Sequence, residues 1–511
     1  MKHAEGLAVL VQPFGNTTSM RFSVRPASDR GMRNADSVRN FGFLKRTVLI
    51  LAVCAAAATA SSAQTYKTLV SFNGTNGANP YSSVVQGVDG KLYGTTYAGG
   101  TSLNCGGGCG TIFKINSSGT LTTIHNFDYF AGDGVYAGLV LATNGNFYGT
   151  TDGGGTDNYG TVFKSTSSGT LTTLHSFDFT DGEIPAGGVV QATNNNFYGT
   201  TDSGGAFGYG TVFKITPTGT VTTLYSFCPN CPDGSTPYAG LIQATDGNLY
   251  GTTDASGINN AGTVFKITPS GTLTTIHQFC TQTCADGSNP YAPLVQGSDG
   301  NLYGTTYSGG AHFHGTVFKI TLSGTLTTLY SFCVQLSCED GSGPTAGLIQ
   351  ATDGNFYGTT LGGGTNSGGT IFKITPTGTL TTLHNFCGQT NCSDGNRPLA
   401  GLFQATDGTF YGTTQFGGVN GDGTVFRLST NLGAFVAFVR PSGSVGQTAE
   451  ILGQGFSGAS AVSFNGVSAT FTVKSNTYLT ATVPTGATSG QVTVTTPHGT
   501  LTSNTVFRVL H

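Results

Sequence analysis

The sequence predicts an all-β chain: a seven-bladed β-propeller with four strands per blade, followed by an immunoglobulin-like β-sandwich. Three observations carry this reading. The tetrapeptide YGTT occurs seven times, starting at Tyr93, Tyr148, Tyr198, Tyr250, Tyr303, Tyr357 and Tyr411, at spacings of 50 to 55 residues. A second motif, GT(V/I)F, follows each copy, starting at Gly110, Gly160, Gly210, Gly262, Gly315, Gly369 and Gly423. Composition agrees, because 80 glycines and only 9% charged residues suit short strands and tight turns, and no window keeps a helical period. A repeat near 50 residues fits a four-stranded blade better than the shorter rung of a β-solenoid.

The chain divides into three parts: an N-terminal extension and signal peptide (1–63), the propeller (64–431) and the sandwich (432–511). Lys45 and Arg46 precede an apolar run from Thr47 to Ala60, too short for a comfortable membrane span, and Ser61 and Ala63 are the small residues of a cleavage site before Gln64. Either Met1 or Met32 can start this leader. Leu51–Cys54 faintly resembles a lipoprotein box, with Val53 where a small residue is expected. The mature chain then has no membrane span. It also has an excess of acidic over basic residues, because residues 1–63 hold eight of the 21 Lys and Arg but only three of the 24 Asp and Glu. That balance excludes nucleic acid and anionic membrane as partners.

Each repeat reads as four strands. In the copy from Pro237, AGLIQA is a short apolar strand, TDGN a tight turn, and NLYGTT a second strand. A Gly-rich loop leads to GTVFKIT, the third strand; TPSG turns into TLTTIHQF, the fourth. The fourth-strand pattern also appears ahead of any complete repeat, as YKTLVSF at Tyr66–Phe72, while the seventh repeat ends in a degraded fourth strand. Tyr66–Phe72 is therefore expected to complete the last blade and close the ring, hiding its edges. In such a ring the short turns share one face. The longer, variable loops share the other, where binding is expected.

Ten cysteines of the mature chain form five local pairs: Cys105 and Cys109, Cys228 and Cys231, Cys280 and Cys284, Cys333 and Cys338, Cys387 and Cys392. In an exported chain these read as five small-loop disulfides. The competing reading is metal, since Cys228–Cys231 is a CxxC. However, the pairs fall in different repeats, and zinc needs four converging ligands.

After about Asn431 the repeat stops, and alternating apolar and polar runs broken by NG, PTG and SG turns describe a small β-sandwich. The motifs LYGTT, GTVFKI, TPTGTLTTLHSF and DG..P, across about 66–431, resemble those of the GloVer (Gloeo/Verruco) tandem-repeat proteins. The resemblance implies an exported protein and supplies no catalytic residues. The tail, through PSGSVGQTAEILGQGF and VSFNGVSATF, resembles an IPT/TIG domain, which implies a spacer or interaction module.

Most ionisable groups recur once per repeat, as architecture does and a catalytic site does not. Lys114, Lys164, Lys214, Lys266, Lys319, Lys373 and Arg427 share the slot after GT(V/I)F. Asp133, Asp181, Asp233, Asp286, Asp340 and Asp394 each precede Gly between repeats, without the dense alternation of a calcium loop. His125, His175, His277 and His384 share one fourth-strand slot with Tyr225 and Tyr330, which points to packing plus one hydrogen bond. His312 and His314 read as solvated loop residues. The YGTT tyrosines are expected to pack between blades, the other reading being a glycan-binding surface.

There is no GxSxG elbow, no HExxH and no phosphate cradle. No catalytic residue, metal or cofactor is expected. The reading is a secreted or cell-surface binding protein for a glycan or an extracellular protein. The alternatives are a polysaccharide hydrolase or lyase and a structural matrix protein. Asp157, Glu183, Glu339, Arg397 and Asp422, which stand outside the repeat slots, discriminate: clustered carboxylates favour an enzyme, scattered ones a binder.

Overall fold

The computed structural model describes residues 64–229 and 231–510, so the leader lies outside the described residues. The described residues fall in one compact unit. The fold is all-β and propeller-like: the repeats build seven four-stranded antiparallel sheets. In the fourth repeat the strands are Ile242–Gln243, Leu249–Thr253, Thr263–Ile267 and Leu273–Gln278, paired in that order. The first strand is shorter than its apolar run, because Ala239 and Gly240 leave the ladder to line a cavity and Leu241 packs in the apolar cluster with Phe265.

The sequence motifs are explained by packing. The YGTT glycine exists because a Cβ on Gly304 would stand 2.5 Å from Cζ of Phe318, whose ring lies across the neighbouring strand. The last threonine of YGTT bonds the threonine of GT(V/I)F inside the sheet, as Thr306 does Thr316 at 2.8 Å and Thr96 does Thr111 at 2.9 Å. The preceding threonine reaches the next sheet. Thr200 Oγ1 donates to the Ala239 carbonyl at 2.8 Å, and Thr359 Oγ1 to that of Ala400 at 2.9 Å. Thr413 of the seventh sheet donates to the Ser82 carbonyl of the first at 2.9 Å.

That last bond closes the series, and three further observations agree. The strand Thr65–Ser71 pairs antiparallel with Thr424–Ser429 as the fourth strand of the seventh sheet. Apolar clusters join each sheet to the next. One of them packs Val84, Leu92 and Phe113 against Phe72, Ala405, Tyr411 and Val425, joining the first sheet to the seventh. The Gln86 side-chain oxygen accepts from the Thr406 N–H at 3.0 Å across the same junction.

Beyond the last repeat, two four-stranded sheets share one core that includes Val436, Ile451, Phe464, Leu479, Val494 and Phe507. This element sits on the short turns between first and second strands. Arg440 donates to the Asn195 side-chain oxygen at 2.6 Å, Arg508 to the Ala244 carbonyl at 3.3 Å and Thr477 to the Val88 carbonyl at 3.1 Å. Gln454 donates to Thr406 Oγ1 at 2.9 Å. Leu452 packs in the apolar cluster of Tyr93. The contacts reach the first, third, fourth and seventh sheets, so the element lies across the turn face and leaves the loop face free.

Candidate functional site

The site sits on the loop face. Two slots build it: the residue that leads into each first strand, preceded by proline in six repeats and by Val135 in the second, and the residue after each YGTT. The backbone holds these slots together. Asp152 N–H donates to the Gly134 carbonyl at 2.8 Å, Asp202 N–H to Ile184 at 2.9 Å and Asp254 N–H to Thr236 at 3.1 Å. An isolated bridge between Asp133 and Gly153 ties the same two loops.

In the first slot stand Tyr81, Tyr136, Ala186, Tyr238, Tyr291, Thr345 and Leu399; in the second stand Tyr97, Asp152, Asp202, Asp254, Tyr307, Leu361 and Gln415. Six tyrosines thus form a continuous arc. Ring centroids are 5.0 Å apart for Tyr97–Tyr81, 4.7 Å for Tyr81–Tyr136 and 5.1 Å for Tyr136–Tyr238. They are 5.6 Å apart for both Tyr238–Tyr291 and Tyr291–Tyr307. Ala186, the small residue of the third sheet, allows Tyr136 and Tyr238 to meet across it.

Below the arc lies a cavity of about 740 Å³. Five of the six tyrosines, all but Tyr97, line it together with Thr345, Leu361 and Leu399. Ala-Gly-Leu segments also line it, as at Ala137–Leu139 and Ala400–Leu402. Ser83 Oγ and Thr345 Oγ1 are enclosed there without a hydrogen-bond partner in the protein.

Three carboxylates flank the arc. Burial pushes Asp152 up to about 7, and the charges of Asp202 and Asp133 add to the effect. Burial also raises Asp202 and Asp254. Oδ1 of Asp152 and Oδ1 of Asp254 are enclosed and unpartnered. Burial raises Tyr81, Tyr97 and Tyr136 as well, with Asp152 contributing to each. Tyr291 is pushed up to about 12 by burial and by Asp254. Such a site can stack an apolar ring face, accept hydrogen bonds and hold a proton near neutrality.

The residues singled out from sequence fall elsewhere. Asp157, Glu339 and Arg397 are exposed in loops of the second, fifth-to-sixth and sixth-to-seventh sheets, and Asp422 lies in a loop of the seventh. Glu183 alone feels the site, through the charge of Asp202. The YGTT tyrosines are buried between sheets, their hydroxyls meeting the turn before them, as Tyr303 does at Asp299 (2.9 Å). Lys319 pairs with that same Asp299 at 2.7 Å.

The histidine slot and the Asp-Gly slot, recognised separately, meet each other. His175 faces Asp181 at 2.6 Å, His277 faces Asp286 at 3.0 Å, and Tyr330 donates to Asp340 at 2.8 Å. Asp152, Asp202 and Asp254 were missed; the signal was the switch from Tyr to Asp in the slot after an otherwise constant YGTT.

The five cysteine pairs stand at disulfide distance. Three groups add a third ligand to such a pair: His314 with Cys333 and Cys338, Asp133 with Cys105 and Cys109, and Asp233 with Cys228 and Cys231. An oxidised pair offers no thiolate, so these groups could hold an ion only with their cysteines reduced. No helix among the described residues is long and apolar enough to cross a membrane.

Successive four-stranded sheets around a lined cavity define a propeller-like repeat protein. The chain belongs to the Gloeobacter/Verrucomicrobia repeat family, whose sequence model matches residues 57–194, 168–337 and 331–453. Among solved structures, it is similar to the extracellular domain of a hybrid two-component system from B. thetaiotaomicron. The identity is 12%, covering 88% of this chain and 60% of that one, at a TM-score of 0.45. It is also similar to a luciferin-regenerating enzyme at 11% identity, covering 73% of this chain and 97% of that one, at a TM-score of 0.38. At these values the likeness carries nothing about activity. No curated protein matches the chain in sequence.

Proposed function

We propose that this chain is a secreted or cell-surface binding protein that takes a glycan at the tyrosine-lined cavity of its loop face. In this reading residues 64–431 are a seven-bladed propeller, and 432–511 an IPT/TIG-like sandwich that acts as a spacer. Residues 1–63 are removed on export, and the five cysteine pairs are oxidised outside the cell. The observation that carries it is the arc from Tyr97 to Tyr307 over a cavity of about 740 Å³, on the face the second domain leaves free. Pockets of this size bury a small ligand, and tyrosine faces stack on sugar rings. Calorimetric titration with soluble glycans tests it. Binding that is lost in Tyr136→Ala/Tyr238→Ala is expected. A blank glycan panel and a blank pull-down from envelope material, both with folded protein, contradict it.

A second reading has a specific observation in its favour. The raised carboxyl of Asp152 beside Asp202 is what a general acid with a partner carboxylate requires. Release of reducing ends or unsaturated products from a polysaccharide, abolished in Asp152→Asn, would establish it over the binding reading.

A further inference from the structure

On the glycan-binding reading, we propose that the loop face recognises an amine-bearing saccharide. The tyrosine arc takes the apolar face of the sugar ring, and Asp152, Asp202 and Asp254 take its ammonium group.

The charge distribution carries this. The loops of that face hold fifteen Asp and Glu, and Arg397 is their only Lys or Arg. The repeated Lys and Arg stand at the other end of the sheets, where Lys319 pairs with Asp299 of a short turn at 2.7 Å. Among the described residues, none of Asp152, Asp202 and Asp254 takes part in an ion pair. The second observation is independent of net charge: Oδ1 of Asp152 is buried and unpartnered, an arrangement that costs free energy in the absence of a donor. A loop face of one sign also concentrates ligands of the other.

The ligand chemistry follows. A neutral sugar brings no charge to favour the ionised form of these raised carboxyls, and an acidic one disfavours that form further. An ammonium group makes charge-assisted hydrogen bonds with them and is attracted to tyrosine faces.

The test is calorimetric titration of the full mature protein with three probes: a glucosamine tetrasaccharide, its fully N-acetylated form and a short lysine-rich peptide. The glucosamine sugar is expected to bind at least tenfold more tightly than the acetylated one. That gap should close in Asp152→Asn/Asp202→Asn and persist in Lys319→Gln, with thermal melts confirming that each variant folds. Equal affinity for the two sugars overturns the ammonium inference and leaves the glycan reading standing. Binding of the peptide but neither sugar overturns both. Binding of none of the three overturns the inference.

Discussion

Tyr66 lies flat against His384, with ring centroids 3.8 Å apart and planes within 3° of parallel. The first residue comes from the strand that opens the described chain, the second from the fourth strand of the sixth sheet. Tyr66 also donates its hydroxyl to the Asp394 carbonyl and packs edge-on against Phe386 at 5.8 Å. One side chain thus pins the closing strand to a neighbouring sheet as well as to its own.

Removing it should cost heavily. Tyr66→Ala is expected to lose about 2–4 kcal/mol of stability, from lost burial, stacking and one hydrogen bond. Urea denaturation measures this. A loss below about 0.5 kcal/mol would mean that the closing strand is not anchored by this contact.

Asp152 makes a pH-dependent prediction. The native carboxyl is raised from 3.8 to about 7, so the folded state holds its proton more tightly than the unfolded chain. Stability therefore falls as pH rises between about 4 and 7. Asp202 and Asp133 face it with like charge, and Tyr81, Tyr97, Tyr136 and Tyr238 are the other titratable groups around it. Asp152→Asn should be more stable than wild type at pH 8, by on the order of 1–4 kcal/mol, with the gain gone below pH 4. Thermal melts at the two pH values check this; no gain at pH 8 contradicts it.

The YGTT glycine should tolerate no side chain. Gly304→Ala puts a Cβ 2.5 Å from Phe318, so the ring or the strand must shift, at roughly 1–3 kcal/mol. A melting temperature unchanged from wild type would refute that packing account.

The cysteine pairs should matter locally. They are three to five residues apart, and closing so short a loop stabilises by about 2 kcal/mol at most. Reduction should leave the far-ultraviolet circular dichroism intact while making the loop face more susceptible to protease. Global unfolding on reduction at 25 °C would contradict this.

Much of the fold was legible because each repeat states it again. The turn residues mark strand ends, and the early YKTLVSF copy announces the pairing with Thr424–Ser429. The pairing of His175 with Asp181 was hidden because the two slots lie on different segments that only the folded loop brings together. Docking of the second domain on the turn face was equally hidden, since Arg440 and Arg508 carry no local sign of their partners. The candidate site was missed for another reason. Asp152, Asp202 and Asp254 sit at a regular repeat position, and only comparing that position across all seven copies reveals their change of character.

Six of the chain's 20 tyrosines stand in the arc and it has no tryptophan, so the difference in emission between wild type and an arc variant reads the arc. Tyrosine fluorescence during titration with a glucosamine tetrasaccharide is therefore the most direct test of a ligand seated at this face. A saturable change in wild type that disappears in Tyr136→Leu/Tyr238→Leu is the expected result. No change in wild type, or the same change in the double variant, would place any ligand elsewhere and contradict the account.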